Sequence, residues 1–268
     1  MIAAVSQNWT GRVLDQGRLG IPVKESWKLE AYEQYKARLH APEYPCFFGQ
    51  TGEARGEMLY TFIAEGGLHE LVKNMRHFVS LIAAPPHERS SLIAFFEPDP
   101  SITDHMSFVA RFWQILQFLH DHDRDPATDK TPDHPLWEFA FERCEMFVVG
   151  ASPTYKHRRS RNLGPGVVLV FQPRSLFIDP ATSQPIAAPV RQRIHKRMMA
   201  YDGMTVHPDI GFYGNIGNRE WKQYALPDDN EPEAGACPFQ TRTNDRLYQV
   251  ALYRAMCADQ RLDVRGSS

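Results

Sequence analysis

Residues 207–229 read HPDIGFYGNIGNREWKQYALPDD, a stretch without helical or strand periodicity and broken by Gly211, Gly214 and Gly217. It brings together side chains that can do chemistry. The imidazole of His207 can ligate a metal or move a proton. The carboxylates of Asp209, Glu220, Asp228 and Asp229 can hold a cation by charge-assisted hydrogen bonds. Phe212, Tyr213 and Trp221 can wall a pocket and face a cation. His207 precedes Pro208, which holds it near extended backbone. Plain surface residues are the alternative reading for His207 and for the acids.

Three further stretches carry candidates. Val109, Trp113, Leu116 and His120 fall on one helical face. A histidine on an apolar stripe is most often a satisfied core residue; its functional reading is an axial ligand, since imidazole in an apolar pocket suits haem iron. The neighbouring LHDHD at 119–123 offers His120 and His122, but residues two apart on a helix point in different directions, so a polar helix end is expected rather than a metal pair. SPTYKHRRSRNLGPG at 152–166 sets His157, Arg158, Arg159 and Arg161 between two expected strands. It reads either as a solvated basic loop or as a clamp whose guanidinium forks pair with carboxylates or phosphates. Cys46, between Pro45 and Phe47, reads as a small buried hydrophobe, with an iron thiolate as the sharper option.

The bulk of the sequence narrows the field. With 268 residues and 43% hydrophobic content the chain can bury a full core without disulfides. A net charge of −2 gives no general reason to bind nucleic acid or anionic lipid. The four cysteines are widely spaced, against a disulfide framework or a structural zinc site, so a reduced cytosolic protein is expected. No basic start followed by an apolar run suggests a signal peptide, and no run of apolar residues is long enough for a membrane span. Dinucleotide, P-loop, nucleophile-elbow, zincin and covalent-haem motifs are all lacking.

The elements that must position these groups follow from periodicity. Helices are expected over 24–39, 68–83, about 102–120 (capped by Ser101 or Thr103), 189–200 and 243–260. Strands are expected over 58–65, 91–97 and 166–172, with a hairpin of 136–142 and 145–151 around Arg143. APEYPCFFGQ, with two prolines, reads as a break after the first helix. The irregular, Gly-, Pro- and Asp-rich 201–242 is long enough to imply a role. The sum is a single α+β domain: a mixed, largely antiparallel sheet flanked by helices. The apolar face of 243–260 would pack on the domain or on a second subunit, making a homodimer.

Together, YPCFFG (44–49), LYTFI (59–63), FWQILQFLHDHD (112–123), PLWEFAF (135–141), SPTYKHRRSRN (152–162), FQPRSLF (171–177), RIHKRMMAYD (193–202) and the 207–229 stretch resemble the YqcI/YcgG family. They form a family-like core of about 44–230, followed by an extension, 231–268. The resemblance implies a non-covalent haem b protein, similar to haem-dependent oxygenases that N-hydroxylate guanidino groups of arginine or arginine-derived compounds in natural-product pathways. The iron ligand would then be His207, with His120 second. Arg158 and Arg161 would pair with propionates or a substrate carboxylate. Trp113, Tyr213 and Trp221 would line the cofactor site. Asp209 or Glu220 would hold a small cationic substrate. Tyr155, counted here with the catalytic residues, stands where many members have a histidine. The co-substrate would be O2, with electrons from an external donor protein, or peroxide. A haem sensor or carrier without oxygenase activity is the alternative; a third reading is a haem-free protein whose 207–229 stretch is a structural or partner-binding loop.

Overall fold

The structure, a computed structural model, describes residues 13–15, 26–127, 129–178 and 188–241. The expected helix at 243–260 lies outside the described residues. Among the described residues the α-helices and strands are α1 (Ser26–Leu39), α2 (Phe47–Ala54), β1 (Met58–Ile63), α3 (Leu68–Ile82), β2 (Ser91–Phe96), α4 (His105–Asp121), β3 (Phe139–Phe141), β4 (Cys144–Ala151), β5 (Val168–Pro173) and α5 (Ala188–Asp202). The five strands form one sheet in the order β1-β2-β5-β4-β3. β1 and β2 are parallel, joined through α3; every other pairing is antiparallel. The expected α+β class is what forms.

Every residue of β1 and β2 is buried, because helices cover both faces of the sheet. Period-two alternation divides the side chains. Leu59, Ile63, Leu92, Ala94 and Phe96 meet Leu71, Val72, Met75 and Phe78 of α3 and Phe108, Phe112, Ile115 and Leu116 of α4. Met58, Tyr60, Phe62, Ile93 and Phe95 turn the other way, towards Ala31, Tyr35 and Leu39 of α1. The buried amide of Asn74 donates to Thr61 Oγ1 at 2.8 Å, tying α3 to β1. At the outer edge of β1, Leu14 exchanges both backbone hydrogen bonds with Tyr60 at 2.8 Å.

Two local readings need correction. The cap of α4 is Asp104, not Ser101 or Thr103: its Oδ1 accepts the Ser107 amide at 2.8 Å while Ser107 Oγ accepts the Asp104 amide at 3.1 Å. Ser101 instead closes a turn on Asp99. After the prolines the chain does not stay irregular, for α2 starts at Phe47, capped by Cys46, whose Sγ accepts the Gly49 amide at 3.3 Å. A two-proline segment masks a short helix because proline is well tolerated just ahead of a helical start.

The β3–β4 hairpin turns at Glu142 and Arg143, both with positive φ (46° and 62°). That is the backbone a two-residue hairpin turn demands, normally met by Asn-Gly. Here side chains and a neighbouring loop hold it. Arg76 Nε donates to Glu142 Oε1 at 2.9 Å, Arg143 Nε to Asp125 Oδ2 at 2.7 Å, and the Glu142 amide to Asp123 Oδ2 at 2.8 Å.

Two phenylalanines of α4 press on the backbone of β4. A Cβ on Gly150 would come within 2.8 Å of Phe112 and 3.0 Å of Phe108, both fully buried. Gly150→Ala should therefore destabilise the protein by roughly 1–3 kcal/mol through overpacking, read as a lower denaturation midpoint in guanidinium chloride.

Candidate functional site: a reciprocal clasp and a buried charge cluster

The loop after β4 and the segment 223–230 grip one another. The carboxylate of Asp228 accepts three consecutive amides, from Lys156 (2.9 Å), His157 (3.1 Å) and Arg158 (2.9 Å). In return the Arg158 fork donates through Nε to the Pro227 carbonyl and through Nη2 to the Asp229 carbonyl, both at 2.7 Å, and to Asn230 Oδ1. Arg161 donates to the carbonyls of Tyr224 and Gln223, both at 2.9 Å. Tyr155 adds a hydroxyl bond to the Leu226 carbonyl at 2.7 Å. From the other side Asp202, at the end of α5, takes the Ser160 amide and hydroxyl at 2.8 and 2.7 Å. Arg158 is almost wholly buried. Burial, then the charge of Arg161, holds its guanidinium below the usual value. Burial likewise lowers Arg161 and raises the Tyr155 hydroxyl. The guanidinium forks read from sequence as a carboxylate clamp are thus engaged with backbone carbonyls.

His207 sits beside this clasp, buried. Its Nδ1 accepts the Asp209 amide at 3.1 Å, and its Nε2 faces the Glu231 carbonyl at 3.1 Å. Those partners assign the proton to Nε2, so neither ring nitrogen offers a spare lone pair. Burial, then the nearby Arg158 charge, lowers the pKa of the ring. Asp209 Oδ2 accepts the Glu233 amide at 2.6 Å, which fixes the turn after Pro208. His120 lies elsewhere. Tyr155 packs its ring on His105 at the start of α4 (5.1 Å between centroids), and His120 is fifteen residues further along, about 22 Å at the helical rise. It is buried against Phe239, 4.9 Å between centroids. Its neighbour His122 caps the helix, with Nδ1 2.8 Å from the Phe118 carbonyl.

A second cluster gathers round Arg174, just after β5. Its guanidinium is gripped in bidentate fashion by Glu138, with Nε 2.5 Å from Oε2 and Nη2 on Oε1. The Tyr213 ring covers the guanidinium at 3.8 Å, and Glu220 Oε2 stands 3.7 Å from Nη2. Glu220 Oε1 accepts from Asn218 at 2.6 Å. Glu138 and Glu220 are both buried. Burial raises the Glu220 carboxyl, with Arg174 opposing. Next to it Trp221 meets Trp113 edge-to-face at 6.2 Å, and Trp221 Nε1 is buried without a hydrogen-bond partner among the described residues. Trp113 also borders a groove with Gln114, Gln117 and Asp121.

The structure thus joins His207 and Asp209 with Arg158, Arg161 and Tyr155, and joins Glu220 with Tyr213, Trp221 and Trp113; His120 stands apart from the clasp. Sequence reasoning missed Glu138 and Arg174. The single acid inside the apolar PLWEFAF was the available signal, since an isolated charge in such a run must find a partner when buried.

Residues 35–240 match the model of the YqcI/YcgG family, a span that takes in both clusters and Cys46. The chain belongs to the YqcI/YcgG family. It is 31% identical over 81% of its length, and 85% of the relative's, to the Streptomyces lavendulae protein named "Putative N(omega)-hydroxy-L-arginine synthase DcsA". Two Bacillus subtilis (strain 168) members, YqcI and YcgG, both named as uncharacterized, are 29% and 30% identical over the same share of this chain and 89% and 90% of their own. No solved structure matches the chain.

Haem, the cofactor the resemblance implied, can be tested against the donors present. Ligation by His207 would require breaking one of its two internal hydrogen bonds. Cys46 differs: its half-buried sulfur caps the N-terminus of α2 and accepts the Gly49 amide at 3.3 Å. Thiolate ligation of haem iron is established chemistry, so the chain holds a fitting donor.

Two outcomes follow. Arg174→Met leaves two buried carboxylates without their cation and should lower stability by about 3–5 kcal/mol, measured by chemical denaturation. Glu220 binds its proton more tightly folded than unfolded, so its contribution falls as pH rises from about 4.3 through the raised folded value. Glu220→Gln should remove that fall, seen as a flatter stability profile across mildly acidic pH.

Proposed function

We propose that this protein N-hydroxylates the guanidino group of L-arginine or an arginine-derived compound, using a non-covalent haem b, as a step in natural-product biosynthesis. One observation carries the reading: similarity to the protein named "Putative N(omega)-hydroxy-L-arginine synthase DcsA" runs through 81% of the chain. Haem, when bound, supplies an iron at which O2, with an external electron donor, or peroxide is activated. Cys46 would hold the iron, with His207 and His120 as the other candidates. Glu220 is a carboxylate suited to a guanidinium; it stands by Trp221 on the α3–α4 side of the sheet while Cys46 packs on the α1 side, so it would serve the substrate with an iron held by His207 or His120 rather than by Cys46. Its Oε2 accepts no hydrogen bond among the described residues, and its contact with Arg174 at 3.7 Å is longer than a hydrogen bond. The Tyr213 ring and the buried Trp221 beside it keep water from that carboxylate and strengthen its hold on a cation. Asp209 stabilises the turn that carries His207, and the clasp fixes the segment from which Glu220 and Trp221 project.

The test is the absorption spectrum of protein purified from cells fed a haem precursor, recorded before and after L-arginine. A Soret band that moves with arginine, together with N-hydroxy-arginine in the presence of reductant and O2 or of peroxide, is the expected result. Cys46→Ala should lose the band while His207→Ala and His120→Ala retain it. A band indifferent to arginine would favour a haem sensor or carrier. No band after haemin titration would overturn the reading.

A further inference from the structure

Two histidines from different helices meet on the surface. His69 stands in the first turn of α3, and His122 caps the end of α4. Their ring centres are 5.0 Å apart, with the planes at 85°. Both rings rest on Phe118: His122 stacks on it at 4.1 Å, and His69 meets it edge-to-face at 5.0 Å. Phe118 in turn packs against the main core, which gives the pair a firm base. His69 is exposed and His122 half-buried, so both are open to solvent.

The separation suits joint ligation. A ligating imidazole nitrogen lies about 2.0–2.1 Å from zinc, in tetrahedral geometry, so two imidazoles on one ion have ring centres about 5 Å apart. The tautomer of His122 is set as well. Its Nδ1 lies 2.8 Å from the Phe118 carbonyl, which can only accept, so the neutral ring carries its proton there and its lone pair on Nε2. A ring N–H donating to a carbonyl is the usual support of a metal-ligating histidine. His69 makes no hydrogen bond among the described residues, and its exposed ring can turn to present either nitrogen. The last turn of α4 adds negative partial charge beside His122, which favours a cation. Arg76 reaches the His122 carbonyl at 2.6 Å, but its charge is met by Glu142 at 2.9 Å.

We propose that His69 and His122 form a surface site for a divalent transition metal of the zinc, copper and nickel class, the ions that imidazole suits. The ion would tie the start of α3 to the end of α4. No group of three or more histidine, cysteine, aspartate or glutamate side chains among the described residues could hold a metal. Water therefore completes the coordination, and the ion exchanges freely rather than building the fold. His120, two residues from His122 on the same helix, cannot share the ion; the fold supplies a partner from another helix. The site is independent of haem and of the proposed reaction.

Zinc is the probe, because it is redox-inert and takes no part in haem chemistry. The full chain, free of any histidine tag and stripped with a chelator, is titrated with zinc by calorimetry. His69→Phe keeps an aromatic ring on Phe118 while removing a ligand, and His122→Gln removes the other. Each should weaken the tightest zinc-binding event on the order of tenfold or more, at least what loss of an outer-shell partner costs. Saturating zinc should raise the denaturation midpoint of wild type and not of His69→Phe. In wild type the first equivalent of zinc should shift the side-chain NMR signals of His69 and His122 and spare the other histidines, a reading that needs no variant. Equal zinc binding by wild type and His69→Phe, no binding by either, loss in only one of the two variants, or a first equivalent that shifts other histidines overturns the proposal.

Discussion

The Asp228 carboxylate, by accepting three successive amides, is the contact on which the upper part of this molecule hangs. The loop after β4 has no ladder to satisfy its backbone, and neither does the segment from 203 to 241, whose one regular piece is a turn of 3-10 helix at Glu220–Gln223. Each supplies what the other lacks. The loop offers amides and two guanidinium forks; the segment offers a carboxylate and a row of carbonyls. A buried polar group is tolerated only when paired. The reciprocity lets two irregular strips lie against each other with Arg158 almost wholly out of water.

That exchange was the part of the site least legible from sequence. The basic loop 152–166 was visible as a run of guanidinium groups, and guanidinium groups suggest anionic guests. What they meet is main-chain oxygen about seventy residues away. Every residue carries a carbonyl, so nothing in residue type marks one as an arginine acceptor. The same limit hid the role of Asp228, which reads as surface charge until the loop it holds is seen. Arg174, just after β5, and Glu138, just before β3, were missed for a like reason: long-range partners leave no spacing to read.

Elements governed by local periodicity were far more legible. The helices α1, α3, α4 and α5 and all five strands lie where the apolar repeat or its flanking turn residues put them. The errors fell on caps and short pieces. Asp104 displaced Ser101 and Thr103 because capping depends on φ and ψ at one residue, and α2 escaped because eight residues after a proline carry little periodic signal. The hairpin around Arg143 was found from its flanking apolar runs, though its turn lacks the usual Asn-Gly and relies on Arg76 and Asp125 instead.

The two ends of the sheet bear on how copies of this protein behave in a crowded solution. An unpaired strand edge is a template for another chain, and open sheets are prone to stack edge to edge. On one side Leu14 already holds the amide and carbonyl of Tyr60, in the middle of β1. On the other the outermost strand is three residues long and ends in a charged turn bound to its own helix. Among the described residues neither edge offers a long run of free backbone to an incoming strand, so aggregation by sheet extension is blunted at both ends while the site between them stays irregular.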